Sequence, residues 1–170
     1  MNLKTALELG RTSNLPTVAT NVLAGAVLGG GALETTPVVF AVLAAAALYE
    51  GGMFLNDAFD AEIDAQERPE RPIPAGKVSR TTVWRWGYGL LAVGVALAFA
   101  AHVAAGFAAL ATSGAIVLYD ATHKKSAFGP VVMGACRFGV YAVGGFALTG
   151  CVHELVGVEV IFGILCPVGR

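Results

Sequence analysis

Long apolar stretches separated by short charged segments make up most of the 170-residue chain. No Asp, Glu, Lys or Arg lies between Arg11 and Glu34, or between Arg85 and Asp120. Because a membrane-spanning helix needs roughly 17–25 mostly apolar residues, the second stretch must divide into two helices, with a turn near His102. The pattern therefore predicts an all-α fold, a polytopic transmembrane helix bundle. We predict five spans and a partial sixth: residues 13–33, 36–56, 82–101, 104–121 and 128–150, and then 155–168.

The composition agrees with a membrane protein and argues against a soluble enzyme or a nucleic-acid binder. Hydrophobic residues make up 56% of the chain and charged residues 14%, whereas soluble domains carry about 25% charged residues. Lys and Arg (11) nearly equal Asp and Glu (12), so no overall basic charge points to nucleic acid. Cys136, Cys151 and Cys166 lie in apolar surroundings, which favours buried thiols over a disulfide framework or a metal site.

The basic residues of the predicted loops lie at alternate ends of the spans, whereas Arg137 lies inside the fifth span. Lys4 and Arg11 precede the first span, a basic segment from Arg68 to Arg85 follows the second, and Lys124 and Lys125 follow the fourth. Basic loops of membrane proteins stay on the cytoplasmic side. We therefore expect a multi-pass protein of a plasma membrane or bacterial inner membrane, surrounded by lipid, with a cytoplasmic N-terminus.

Three aspartates lie close together at the predicted cytoplasmic end of the second span. Asp57, Asp60 and Asp64 fall within about 60° of one another on a helix that turns 100° per residue. Like charges on one face repel, so such a stripe at a membrane boundary favours a bound cation. Carboxylates combined with substrate phosphates are typical ligands of Mg²⁺. A plain solvated helix face is the alternative interpretation.

A proline-rich basic segment follows the aspartates and reads ERPERPIPAGK from Glu67 to Lys77. Its three prolines end the helix and stiffen the loop. Arg68, Arg71 and Lys77 offer N–H donors that suit phosphate oxygens. Together with the carboxylates they suggest a pocket for Mg²⁺ and a diphosphate. Arg68 and Arg71 are equally consistent with the basic residues that fix membrane orientation.

This long motif resembles the first Asp-rich motif of the UbiA superfamily of intramembrane prenyltransferases. The matching patterns are NDxxDxxxD at residues 56–64 and RPxRPIPxG at residues 68–76. RxxNLPxxxxN at residues 11–21 is similar to the start of the family's first helix, and YDATHKK at residues 119–125 to its Tyr-x-x-x-Lys-type loop. The MGACR run at residues 133–137 that follows this loop resembles the EboC-type branch of the family.

The resemblance implies Mg²⁺-dependent transfer of a prenyl group from an isoprenoid diphosphate to a lipophilic, often aromatic, acceptor. The metal would neutralise the departing diphosphate, and the apolar spans would keep water from the allylic cation. Three aspartates of the motif would be the metal ligands: Asp57, Asp60 and Asp64. The resemblance assigns catalysis to Asp57, Asp60, Asp64, Tyr119 and Lys124, and diphosphate binding to Asn56, Arg68, Arg71 and Lys124.

One part of the family pattern does not occur in this sequence. The family carries a second Asp-rich motif, whereas the acids after Asp120 are Glu154 and Glu159. We therefore expect a single membrane domain over residues 1–170 that resembles the N-terminal half of a UbiA-type fold and is incomplete at its C-terminus. The alternative is a non-catalytic degenerate homologue, or a partner-dependent component of a lipid or metabolite transport system.

Overall fold

The computed structural model describes residues 3–30, 34–122 and 128–149. No strand occurs in these ranges, so the prediction of an all-α fold is confirmed. A short 3-10 turn, Thr12–Asn14, joins the first two helices. The helices are α1 Leu3–Gly10, α2 Leu15–Leu28, α3 Thr35–Phe59, α4 Ala61–Glu67, α5 Arg80–Ala101, α6 Val103–Thr122 and α7 Gly129–Thr149.

Four of the described helices, α3, α5, α6 and α7, are long and apolar enough to cross a membrane. They coincide with the second to fifth predicted spans. The first predicted span, residues 13–33, differs because α2 has only 14 residues. That is about 21 Å of helix against roughly 30 Å of hydrocarbon. Pro16 at the start of α2 and the left-handed Gly30 after it (φ 73°) bound the helix on both sides. The partial sixth span, residues 155–168, lies outside the described residues.

The five longest of the described helices form a ring. α3 packs against α5, α5 against α6, α6 against α7, α7 against α2, and α2 closes the ring against α3. The buried core along α3 is built from small side chains, Ala41, Ala44 and Ala45, with Leu48 beside them. Small residues let helix backbones approach closely where lipid supplies no hydrophobic driving force.

Two glycines bring α2 and α7 into backbone contact. A Cβ added at Gly25 would collide with the carbonyl of Tyr141, and one added at Gly144 would collide with the carbonyl of Val22. Any larger residue at either position would push the two helices apart. The seam that closes the ring between α2 and α7 therefore depends on these glycines.

Successive long helices run in opposite directions, so α3 and α6 end on the side where α5 and α7 begin. We call this side the polar end. Leu9 of α1 is fully buried there, in an apolar cluster with Val83 of α5. Arg80 ties the elements together, because Nε donates to the carbonyl of Ala58 at 2.8 Å and Nη1 donates to Glu62 at 2.9 Å. The polar end is thus a packed junction that holds the predicted site residues in place.

Candidate functional site

Asp57 and Asp64 converge on one nitrogen of Arg71. Nη1 donates to Oδ1 of Asp57 at 3.1 Å and to Oδ2 of Asp64 at 2.8 Å. Both aspartates are buried, and the side chain of Arg71 is 20% exposed. The guanidinium of Arg11 lies 3.6 Å from the same Asp57 oxygen. The seven-residue spacing therefore brings two carboxylates to one side, with an arginine of the following loop between them.

Asp60 lies at the junction where α3 meets α4, and not inside one continuous helix. Its backbone stays close to helical, with φ −81° and ψ −3°, and its N–H still donates to the carbonyl of Asn56 at 2.9 Å. The chain path therefore continues almost as a helix across the junction. The buried carboxylate of Asp60 lies near enough to Asp57 and Asp120 to interact with both electrostatically.

Asp120 brings a fourth buried carboxylate to the polar end, from α6. Nδ2 of Asn56 donates to its Oδ1 at 3.2 Å, whereas its Oδ2 is buried and has no hydrogen-bond partner among the described residues. A buried polar oxygen without a partner costs free energy, so a cation, a proton or a ligand donor would stabilise it there. Asp120 was assigned no role from the sequence, because it lies 64 residues from Asn56 and no local spacing connects the two. An acid near the end of an apolar span is the signal that could have identified it.

A cavity of about 560 Å³ lies beside these carboxylates. Asn56 and Asp120 line it at the polar end, and Leu48 lines it about two helical turns further along α3. A volume of this size is typical of a small-molecule site. One face each of α2, α3, α6 and α7 forms the walls of the cavity. The lining residues in the N-terminal part of the chain are Arg11, Asn14, Thr17, Val18, Asn21, Leu48 and Tyr49. The others are Gly52, Met53, Asn56, Thr112, Ile116, Tyr119, Asp120, Met133, Cys136, Arg137, Val140 and Tyr141.

The carboxylates suit a metal that binds together with a substrate. In the ranges that the structure describes, no three His, Cys, Asp or Glu side chains are grouped so as to hold a metal ion by themselves. Mg²⁺ in proteins is commonly held by one or two carboxylates plus substrate phosphates and water, and so needs no such group. The buried, unpartnered Oδ2 of Asp120 is a suitable oxygen donor. The assignment of Asp57, Asp60 and Asp64 as metal ligands stays a prediction.

Some of the other predicted site residues lie at the site and some do not. Tyr119 lines the cavity next to Asp120. Arg71 lies among the carboxylates, whereas Arg68 is exposed at the C-terminal end of α4 and forms no ion pair with them in the described part of the chain. Lys124 lies outside the described residues. The structure therefore brings one of the two predicted arginines into the site, and the other roles stay predictions.

Known proteins are similar to this chain in sequence and in fold. The family model described as the UbiA prenyltransferase family matches residues 18–168. The digeranylgeranylglyceryl phosphate synthase of Methanococcoides burtonii is 30% identical over 171 residues, covering 94% of this chain and 58% of that protein. The synthase of the same name from Methanopyrus kandleri is 41% identical over 96 residues, covering 56% of this chain and 35% of that protein. Neither is described as an EboC-type protein, so that resemblance stays a prediction.

A solved structure supports the same assignment. It concerns digeranylgeranylglyceryl phosphate synthase in membranes and superposes with a TM-score of 0.80 at 27% sequence identity. The match covers 88% of this chain and 55% of that one, so the chain spans little more than half the length of this neighbour. The fold, the membrane helices and the family model agree, and the chain belongs to the UbiA prenyltransferase family.

Proposed function

We propose that this chain forms the diphosphate-binding half of a membrane site that transfers a prenyl group. The observation that carries the proposal is the position of the buried carboxylates at the polar end, beside a cavity of about 560 Å³. Asn56 and Asp120 connect the carboxylates with the cavity, because they are hydrogen-bonded to each other and both line the cavity. An isoprenoid diphosphate needs both parts, a polar site for its headgroup and an apolar space for its chain.

The acceptor that we propose is a lipid phosphate built on glycerol. The relatives are named for digeranylgeranylglyceryl phosphate, which carries two geranylgeranyl groups. Removing one of them leaves a glycerol phosphate lipid with one isoprenyl chain, and the donor is then geranylgeranyl diphosphate. This acceptor replaces the aromatic one that the family resemblance suggested.

In the reaction the allylic C–O bond of the donor breaks and the diphosphate leaves with the electron pair. The acceptor hydroxyl oxygen forms a bond to the same carbon, and its proton passes to the released diphosphate. Mg²⁺ would supply neutralisation of the charge that builds on the leaving group. Asp57, Asp60 and Asp64 would hold it, assisted by the unpartnered oxygen of Asp120.

Arg71 is suited to the diphosphate itself. Only Nη1 is engaged with Asp57 and Asp64 in the described contacts, and a guanidinium has five N–H donors. The remaining donors are available to phosphate oxygens, and they stabilise charge there as the bond breaks. Arg68 and Lys124 would add further positive charge. Tyr119, on the cavity wall, would present an aromatic face to the allylic cation.

The polar end would face the cytoplasm. The segment from Arg68 to Arg85, which joins α4 to α5 and includes the first residues of α5, lies on this side of the bundle and carries five of the 11 basic residues. Positive residues are retained on the cytoplasmic side during insertion. A water-soluble diphosphate headgroup would then reach the carboxylates directly from the cytoplasm.

The test is a transfer assay in membranes that contain the whole protein, with labelled geranylgeranyl diphosphate, the singly prenylated glycerol phosphate lipid and Mg²⁺. We expect Asp57→Asn and Asp60→Asn to lower transfer by about a hundredfold or more, as the loss of charge stabilisation at a reacting centre does. Glu67→Gln is the matched control, because Glu67 is an exposed acid on α4. Equal diphosphate binding and transfer in all variants would reject the proposal in favour of a non-catalytic or transport role.

A further inference from the structure

Helix α7 places a positively charged side chain on the cavity wall. The α7 residues that line the cavity are spaced i, i+3, i+4, i+7 and i+8, which is one face of a helix. Arg137 stands in the middle of that face, about two turns from the start of α7 at Gly129. The other members of the face are Met133, Cys136, Val140 and Tyr141.

Arg137 has no carboxylate partner in the ranges that the structure describes. The ion pairs of the polar end involve Arg11, Arg71 and other basic residues. Asp120 is the carboxylate among the described cavity-lining residues, and it accepts a hydrogen bond from Asn56 instead. A guanidinium within a membrane-spanning helix is costly in lipid, and such groups usually face a cavity and serve a ligand.

Neutral polar side chains line the same cavity as Arg137. Nδ2 of Asn14 donates to the hydroxyl of Tyr49 at 3.0 Å, and the hydroxyl of Tyr141 donates to Oδ1 of Asn21 at 3.1 Å. These bonds hold two amides and two phenols in fixed positions on the 3-10 turn before α2 and on α2, α3 and α7. A guanidinium on a cavity wall without a carboxylate partner favours an anion, and Arg binds phosphate through paired N–H donors.

We propose that Arg137 binds the phosphate of the lipid acceptor, which makes this part of the cavity an acceptor subsite separate from the diphosphate site. The proposal rests on the proposed function, because that function brings a second phosphate-bearing molecule to the cavity. Arg71 and the carboxylates serve the diphosphate at the α3–α4 junction, and Arg137 lies on α7. Val140, on the same face of α7, offers an apolar contact to the first part of the acceptor's chain.

The test measures equilibrium binding to the whole protein purified in detergent. The probes are geranylgeranyl diphosphate, the singly prenylated glycerol phosphate lipid, and the same lipid with a hydroxyl in place of the phosphate. We expect Arg137→Gln to weaken binding of the phosphate lipid about tenfold or more, toward that of its hydroxyl analogue, as loss of a charge-assisted contact does. Binding of geranylgeranyl diphosphate should stay within about twofold, well under the 1.4 kcal/mol of a tenfold change.

Two further variants keep the result interpretable. Arg137→Lys keeps the charge but loses the paired donors, so it should fold and retain intermediate affinity for the phosphate lipid. Arg85→Gln removes an exposed arginine of α5 that does not line the cavity, and it should change neither affinity. If Arg137→Gln does not fold, Arg137→Lys decides the proposal through the same comparison.

Three results would overturn the proposal. The first is unchanged binding of the phosphate lipid in Arg137→Gln and Arg137→Lys. The second is a loss of geranylgeranyl diphosphate binding equal to the loss of phosphate-lipid binding. The third is full competition of inorganic phosphate with the phosphate lipid, which would indicate a site for free phosphate. Failure of the proposed function is distinguishable from all three. It would appear as absence of diphosphate binding in the unaltered protein, whereas the phosphate lipid and its hydroxyl analogue would still decide the role of Arg137.

Discussion

Asp64 and Asp120 are both buried aspartates at the polar end, and they are held in opposite ways. Asp64 accepts a charged hydrogen bond from Arg71 at 2.8 Å. Asp120 accepts a neutral one from Asn56 at 3.2 Å, and its second oxygen has no partner in the described part of the chain. The first carboxylate is compensated within the protein itself. The second is left to be compensated by something that binds.

The difference separates a carboxylate whose charge is balanced within the fold from one whose charge is not. A buried carboxylate with an arginine partner supports the fold, because removing either partner leaves an uncompensated charge. A buried carboxylate with an amide partner costs free energy in the folded chain and is favoured only when a cation or proton arrives. Variants of the two groups should therefore change stability in opposite directions.

The largest expected effect comes from Arg71→Ala. It leaves the buried carboxylates of Asp57 and Asp64 without their shared partner, so the free energy of unfolding should fall by about 3 kcal/mol. Thermal unfolding of the purified protein in detergent measures the change. Arg68→Ala is the control, because Arg68 is exposed and should matter by less than about 0.5 kcal/mol. Equal losses in the two variants would mean that the pairing with Asp57 and Asp64 contributes nothing.

The second prediction concerns a substitution that should not lower the free energy of unfolding. Asp120→Asn removes a buried charge and keeps an oxygen that can accept from Asn56, so stability without ligand should stay unchanged or rise by up to about 1 kcal/mol. Asp64→Asn should instead lower stability by about 1–3 kcal/mol, because it weakens a hydrogen bond to a charged group. Unfolding of both variants in the same detergent gives the comparison. A clear loss of stability in Asp120→Asn would contradict the view that its charge is uncompensated.

The smallest expected effect is at an exposed carboxylate. The side chain of Glu62 is 82% exposed where it meets Arg80, so Glu62→Gln should change stability by less than about 0.5 kcal/mol. Arg80→Met should cost more, because it also removes the hydrogen bond to the carbonyl of Ala58. The same unfolding measurement serves both variants. A larger loss of stability in Glu62→Gln than in Arg80→Met would show that the exposure of a side chain does not predict its contribution to stability at the polar end.

Local patterns in the sequence predicted the fold better than they predicted the site. Helices α3, α5, α6 and α7 follow from hydrophobic length alone, and the spacing of Asp57 and Asp64 follows from helix periodicity. The short α2 was missed, because an apolar stretch does not reveal where a helix begins and ends inside it. The turn at Thr12–Asn14 and the left-handed Gly30 set those ends.

The contacts of the site could not be read from local patterns. The motif indicated Arg68 and Arg71 together, yet the turn of the loop puts only Arg71 among the carboxylates. Asp120 reaches Asn56 through the packing of α6 near α3, which no spacing along the chain encodes. Arg137 was visible as a charge inside a span, and the ring of helices explains why it faces a cavity.

The length of α2 has a consequence for the lipid around the protein. Its 14 residues give about 21 Å of helix, beside α3 with 25 residues and about 38 Å. A short hydrophobic element thins the bilayer next to it, at a cost of fractions of a kcal/mol per Å of mismatch. We therefore expect the membrane to be thinnest and its acyl chains least ordered along α2. That helix also forms one wall of the cavity, so loosened lipid would lie beside the site that we propose for a lipid acceptor.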